Sequence, residues 1–244
     1  MRIGVKPGQI GLTIDELRRC WREAEEAGFE SLWTFDHLTS RADEPIYEAT
    51  ALLAAMAEST SRLRIGCLAL SNGTRRVETL AATLATIDAL SGGRLEIGLG
   101  MASMFAKMDF DLLGIRFPRW SDRAVQFLDS VDRLVELTSP GSPLGARPIQ
   151  SPIPLILGGR SRAIREAAIA RGLSWNLSGG SVEEFIELKD AQPDPQGQVF
   201  LKSTPSVSDT VAAFAEAGAT RLVLVMEPPI RPGDVTQLAR DAGL

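Results

Sequence analysis

Short apolar runs alternate with longer amphipathic ones along this chain. Residues 2–5, 31–35, 63–70, 94–99, 154–157, 173–177, 198–202 and 221–226 are short runs dominated by aliphatic and aromatic residues, and they read as strands. Residues 13–27, 45–59, 77–90, 122–138, 161–170, 182–189, 209–217 and 234–242 read as the helices between them. In 13–27, Leu17, Trp21 and Ala24 share one face, Thr13 and Glu16 have capping-box spacing, and Gly28 stands where a helix stops. In 122–138, Val125, Leu128, Val131 and Val135 recur at helical spacing. A longer loop runs from the fourth strand to Pro118, and residues 139–152, with four prolines and two glycines, form an irregular connection. Eight strand–helix units imply a parallel sheet buried on both faces, and eight such units fit a closed (β/α)₈ TIM barrel. The alternative is a doubly wound open sheet, but no GxGxxG follows the first strand. The expected organisation is one α/β barrel domain over residues 1–244 with short late-barrel connections.

Composition narrows the function. The 244 residues suit one barrel, since such barrels run to about 250. A net charge of −5 argues against nucleic acid as a partner. No apolar run approaches the roughly 18 residues of a membrane span, so no membrane partner is expected. The N-terminus lacks the apolar stretch of a signal peptide, and two cysteines, Cys20 and Cys67, do not make a disulfide framework. The expected setting is the reducing cytoplasm. A single histidine, His37, argues against zinc chemistry, and no metal site is expected.

In such a barrel the active site lies at the C-terminal ends of the strands. There the chain places Asp36 and His37 after strand two, and Leu70 to Gly73 after strand three. Strand four ends at Gly98, Gly100, Met101 and Ser103, strand five at Gly158, Gly159 and Arg160, and strand six at Asn176 and Ser178. Glycines let a flat ligand approach the backbone closely. A Gly-Gly step into a helix N-terminus offers N–H groups and a positive dipole end to a phosphate, and Arg160 could add charge. Each signal has a structural alternative. His37 can be a hydrogen-bonded structural residue, Asp36 can orient His37 or cap the next segment, and the glycines can serve packing and turns. Trp33 and Trp175 read as core, and Cys67 as a buried thiol.

Several blocks, in order, carry a resemblance over nearly the whole chain. They are 27–33 (AGFESLW) leading into Asp36-His37, 60–66 (TSRLRIG), 80–88 leading into 90–100 (LSGGRLEIGLG), 110–114 with Phe117-Pro118, 152–159, and Trp175-Asn176. The sequence resembles the bacterial luciferase-like family of flavin- and deazaflavin-dependent oxidoreductases. That resemblance implies the same barrel and a flavin-type ring held over the strand ends. It implies a non-proline cis peptide at Leu68–Ala69 behind the ring, and Asp36-His37 beside it. It also implies that Gly158, Gly159 and the stretch from Asn176 to Ser178 meet the phosphate end of the cofactor. On this reading the catalytic candidates are His37 and Asp36. The cofactor-binding candidates are Leu68, Ala69, Gly100, Met101, Gly158, Gly159, Arg160, Asn176 and Ser178.

Departures from the family pattern shape the expected chemistry. Arg75-Arg76-Val77 stands where many relatives carry Arg-His-Pro, Ser103 where sugar-oxidising deazaflavin relatives carry a catalytic Glu, and Met101 where light-emitting relatives carry an Arg for the flavin phosphate. Sugar-phosphate oxidation and aldehyde-oxidising luciferase activity are therefore disfavoured. The Asp-His pair, Met101, and 22 arginines against four lysines lean toward coenzyme F420, with FMN as the alternative. The expected function is hydride transfer to or from a small organic substrate. The alternatives are an FMN-dependent monooxygenase, a flavin-binding protein without turnover, and a metal-free lyase or isomerase using His37 as acid and base. The short late-barrel region leaves two arrangements, a more open pocket or one completed by a second copy in a homodimer.

Overall fold

The structure is a computed structural model and describes residues 1–40 and 44–244. Its strands are Arg2–Pro7 (β1), Ser31–Thr34 (β2), Arg64–Ser71 (β3), Leu95–Gly100 (β4), Leu155–Gly158 (β5), Ser174–Ser178 (β6), Pro195–Phe200 (β7) and Arg221–Met226 (β8). They pair in parallel and in chain order, and β8 closes on β1. The helices are Ile14–Glu26 (α1), Ala49–Ser59 (α2), Val77–Leu90 (α3), Lys107–Leu112 (α4), Trp120–Thr138 (α5), Arg162–Arg171 (α6), Val182–Leu188 (α7), Val207–Glu216 (α8) and Asp234–Asp241 (α9). The closed barrel expected from the alternating pattern is the fold observed.

Period-two alternation sorts the strand side chains into two layers. Ile3, Val5, Leu32, Ile65, Cys67, Ile97, Leu99, Leu157, Trp175, Leu222 and Leu224 face the helices and join one continuous core with Leu17, Trp21, Leu53, Leu84, Val131 and Phe214. Trp33, Leu68, Ile156 and Val223 form a separate cluster inside the barrel. Trp33 fits there because glycines face it. A Cβ on Gly66 would lie 2.3 Å from its ring, and one on Gly4 2.9 Å from its Nε1. Below it the N-terminal end is plugged by Arg221, which donates to Glu96 at 2.6 and 2.9 Å and to Glu30 at 2.8 and 3.0 Å. That plug leaves the C-terminal end as the open one.

Thr13 and Glu16 form the reciprocal capping box at α1. Boundaries differ from the sequence reading where a side chain takes over a backbone role. The second helix starts at Ala49 rather than 45, because the Glu48 carboxylate caps it by accepting from Ala51 N–H at 2.8 Å. Strand seven, expected at 198–202, runs from Pro195 to Phe200, and 201–203 turn away as a 3₁₀ turn. Pro195 and Gly197 look like breakers but suit their places. Proline is tolerated at the first residue of a strand. A Cβ on Gly197 would lie 2.6 Å from the Phe214 ring of α8. The loop after β4 also holds structure, a 3₁₀ turn at Met104–Ala106 capped by Ser103, then α4.

Candidate active site

The C-terminal ends of the strands enclose a cavity of about 800 Å³, within the range of small-molecule pockets. Lys6, Asp36, His37, Leu68, Ala69, Gly100, Met101, Gly158, Gly159, Arg160, Asn176 and Ser178 all line it, so the structure brings every sequence-derived candidate to one place. One wall has little side-chain bulk. Gly100 pairs with Gly158 across β4 and β5, and both face the Ala69 methyl, which would lie 3.2 and 3.5 Å from Cβ atoms added there. The Leu68–Ala69 peptide beside that wall is cis, as the resemblance implied.

His37 and Asp36 part company. The His37 Nδ1 lies 2.9 Å from Oδ2 of Asp109, a buried residue of α4. Oδ1 of the same carboxylate accepts from Leu38 N–H and Thr39 N–H at 3.0 Å and from the Thr39 hydroxyl at 2.7 Å. A carboxylate only accepts, so Nδ1 carries the hydrogen and Nε2 is the nitrogen left for proton exchange. Asp36 is instead held from the other side. Its carboxylate takes a bidentate pair from Arg75 at 2.7 and 2.8 Å and the Ser71 N–H at 2.8 Å. Arg75 also donates to Glu48. Asp36 therefore ties β2 to the end of β3, and the reading of Asp36 as orienting His37 gives way to Asp109 in that place. Both residues follow the end of β2 at Thr34, and each is fixed by its own partners, Arg75 and Ser71 for Asp36 and Asp109 for His37.

The phosphate end also differs in detail from expectation. Gly159 N–H is already donated to Asn176 C=O at 3.1 Å. The Arg160 guanidinium is paired with Glu184 at 2.6 Å and donates to Ser178 C=O at 2.8 Å. The anion-attracting feature left at this rim is the N-terminus of α6, which follows Ser161. Asn176 faces the barrel interior, and its side chain is buried with no hydrogen-bond partner for Nδ2. The buried Ser71 hydroxyl is likewise without one. Two orphaned polar atoms in the lining of one cavity are what a ring with carbonyl and N–H edges would satisfy, so the residues present fit a flavin-type cofactor. Ser103 is exposed at the mouth and caps the following turn.

Sequence reasoning missed Lys6. Its side chain points into the barrel beneath this cavity, nearly fully buried, and Nζ donates to Leu68 C=O at 2.6 Å and to Gln198 Oε1 at 3.2 Å. Gln198 in turn donates to the Ser178 hydroxyl at 2.9 Å. Burial lowers the Lys6 pKa to about 8, partly offset by Cys67. Burial pushes the Cys67 thiol well up, and Cys67 is free, as expected of a buried thiol.

Residues 1–220 match the family profile described as luciferase-like monooxygenase. A Mycobacterium tuberculosis protein provisionally named a coenzyme F420-dependent oxidoreductase is 31% identical over 122 residues, 50% of this chain and 33% of that protein. The chain spans between a quarter and about half the length of the curated relatives matched first. Among solved structures, an F420-dependent secondary alcohol dehydrogenase in complex with an F420–acetone adduct superposes with a TM-score of 0.81 at 13% identity, covering 99% of this chain and 98% of that one. The monooxygenase RslO1 from Streptomyces bottropensis gives 0.79 at 16% identity, covering 98% and 97%. These two likenesses concern the fold.

Proposed function

The chain belongs to the luciferase-like monooxygenase family, and from that premise we propose that it is an oxidoreductase that uses coenzyme F420 for hydride transfer to or from a small organic substrate. One observation carries the reading. His37, oriented by Asp109, lines a cavity that also has a wall reduced to Ala69, Gly100 and Gly158, so one space can take a flat ring beside a side chain able to exchange a proton. When bound, such a cofactor supplies the hydride donor or acceptor. Ala69, Gly100 and Gly158 would pack against its ring, Asn176 and Ser71 would meet its polar edge, and the start of α6 would face its phosphate. His37 Nε2 gives or takes the proton that balances the hydride, and Asp109 stabilises the imidazolium while it carries that proton. The loop from Ala102 to Phe117 covers one side and excludes water there through the Ala102, Ala106 and Phe110 cluster.

Support for F420 over FMN comes from the name of the M. tuberculosis relative and from Met101 at the position where light-emitting relatives bind flavin phosphate. The monooxygenase description of the family keeps an FMN-dependent monooxygenase as the alternative. No helix among the described residues is long and apolar enough to cross a membrane. The proposed compartment is the cytoplasm, supported by two free buried cysteines, and the proposed assembly is a homodimer, to be read by light scattering.

The test is titration of the purified protein with F420 and FMN separately, followed by absorbance and fluorescence. Saturable binding of F420 is expected, tight binding of FMN alone moves the assignment to the alternative, and binding of neither removes it. In the loaded enzyme, His37→Ala is expected to lower turnover about 10²–10⁴-fold while cofactor affinity changes little. Full turnover in that variant would make His37 structural.

A further inference from the structure

Among the described residues two cationic side chains are buried outright, Arg221 and Lys6, and they are compensated differently. Arg221 has Glu96 and Glu30, and Arg75 has Asp36 and Glu48. Lys6 forms no ion pair with any carboxylate among the described residues; its hydrogen-bond acceptors are a carbonyl and an amide oxygen, and its Nζ lies 5.8 Å from the centroid of the Phe35 ring. An ammonium has three donors, and these contacts use two. In the same lining, both hydrogens of Asn176 Nδ2 lack an acceptor although the residue is 1% exposed. A buried charge without a counter-ion is costly, and a protein keeps one where a ligand supplies the missing charge.

We propose that Lys6, with Asn176, forms an oxyanion subsite in the inner part of the cavity, taking a planar delocalised anion of the carboxylate or enolate type. Two sources share that chemistry, a carboxylate on the substrate and the negatively charged edge of a reduced flavin-type ring. Charge placed near such a ring is a recognised means of tuning its electronics. The second source rests on the cofactor reading above, and the first does not. The pocket's acidic groups do not compete for Lys6. Asp36 is neutralised by Arg75 and Glu227 by Lys202, while Glu44 lines the cavity without an ion pair to Lys6. The remaining ionisable groups facing this space are His37, which is held by Asp109, and Arg160, which is paired with Glu184, while Cys67, on the helix-facing side of β3, is kept protonated by burial.

The chain has only four lysines, so ¹³Cε-lysine labelling gives four resolvable signals. Lys107→Arg, Lys189→Arg and Lys202→Arg together leave Lys6 alone and spare the cavity. Its titration is followed by NMR in the free protein, with oxidised and reduced F420, with oxidised and reduced FMN, and with benzoate against neutral benzamide. The Lys6 pKa, about 8 in the free protein, is expected to rise by at least about one unit when the anion binds. A rise with a reduced but not an oxidised cofactor assigns the anion to the ring. A rise with benzoate but not benzamide assigns it to a substrate carboxylate. The dissociation constant of the anion should correspondingly loosen about five- to tenfold between about pH 7 and about pH 9, as Lys6 loses its proton in the free protein. No rise with any of these probes overturns the proposal and leaves Lys6 as a strut for the Leu68 carbonyl. If neither cofactor binds by fluorescence, the cofactor reading fails separately and the benzoate arm alone decides the subsite.

Discussion

Lys6→Met should change the pH dependence of stability more than stability itself. In the unfolded chain the lysine titrates near its ordinary 10.5, and in the fold burial lowers it to about 8. Between those values the unfolded chain holds a proton that the folded chain has released, so stability rises with pH through that window and levels off above it. Below pH 8 both states are protonated and the whole burial penalty is present, about 3 kcal/mol for a shift of this size. Methionine removes that penalty but leaves Leu68 C=O and Gln198 Oε1 without their donor, at about 1–3 kcal/mol each where water does not replace it. At neutral pH the two effects are of similar size and opposite sign, so one measurement there decides nothing. The slope does. Urea unfolding of both proteins, from about pH 7 to about pH 9.5, should show the parent gaining about 2 kcal/mol relative to the variant, because Lys6 is the one ionisable group by which the two proteins differ. Parallel pH profiles would show that Lys6 is not desolvated, and would remove the electrostatic basis of the oxyanion subsite.

Asp109→Asn keeps the shape of the α4 contact but presents an amide N–H to the His37 Nδ1–H. The imidazole should turn to the tautomer protonated at Nε2, and turnover of the loaded enzyme should fall about 10²–10⁴-fold with cofactor affinity little changed, as read by steady-state kinetics beside fluorescence titration. Unchanged turnover would mean that the pair merely anchors the loop. Gly98→Ala would set a Cβ 2.1 Å from the Cys67 carbonyl oxygen and 2.8 Å from Leu68 Cδ2. Backbone cannot yield as a side-chain tip does, so a loss of at least about 3 kcal/mol is expected in calorimetry or denaturant unfolding. A variant that melts with the parent would contradict that packing.

What the sequence disclosed and what it withheld follow from the range of each signal. The barrel was readable because burial on both faces writes itself into local runs such as 221–226, where every residue is buried. The capping box of Thr13 and Glu16 was readable because its chemistry lies within four residues. Strand seven was misplaced because Pro195 and Gly197 carry turn-like local signals, and only Phe214, packed across from α8, shows why a glycine is needed there. The His37–Asp109 pair spans 72 positions and depends on a six-residue helix inside an apparent loop, so no local pattern marks Asp109 as its partner. Lys6 is the instructive case. Ile3 and Val5 face the helices, so alternation alone sends residue 6 inward, and a charged residue at an inward barrel position near the open end is a functional signal. Ending the first strand at residue 5 hid it, because the strand runs on to Pro7, pairing with Met226. His37 thus lies beyond the end of β2 and Lys6 one residue from the end of β1, where local patterns are weakest and where a shift of two residues decides whether a lysine is read as loop or as the inner surface of the cavity.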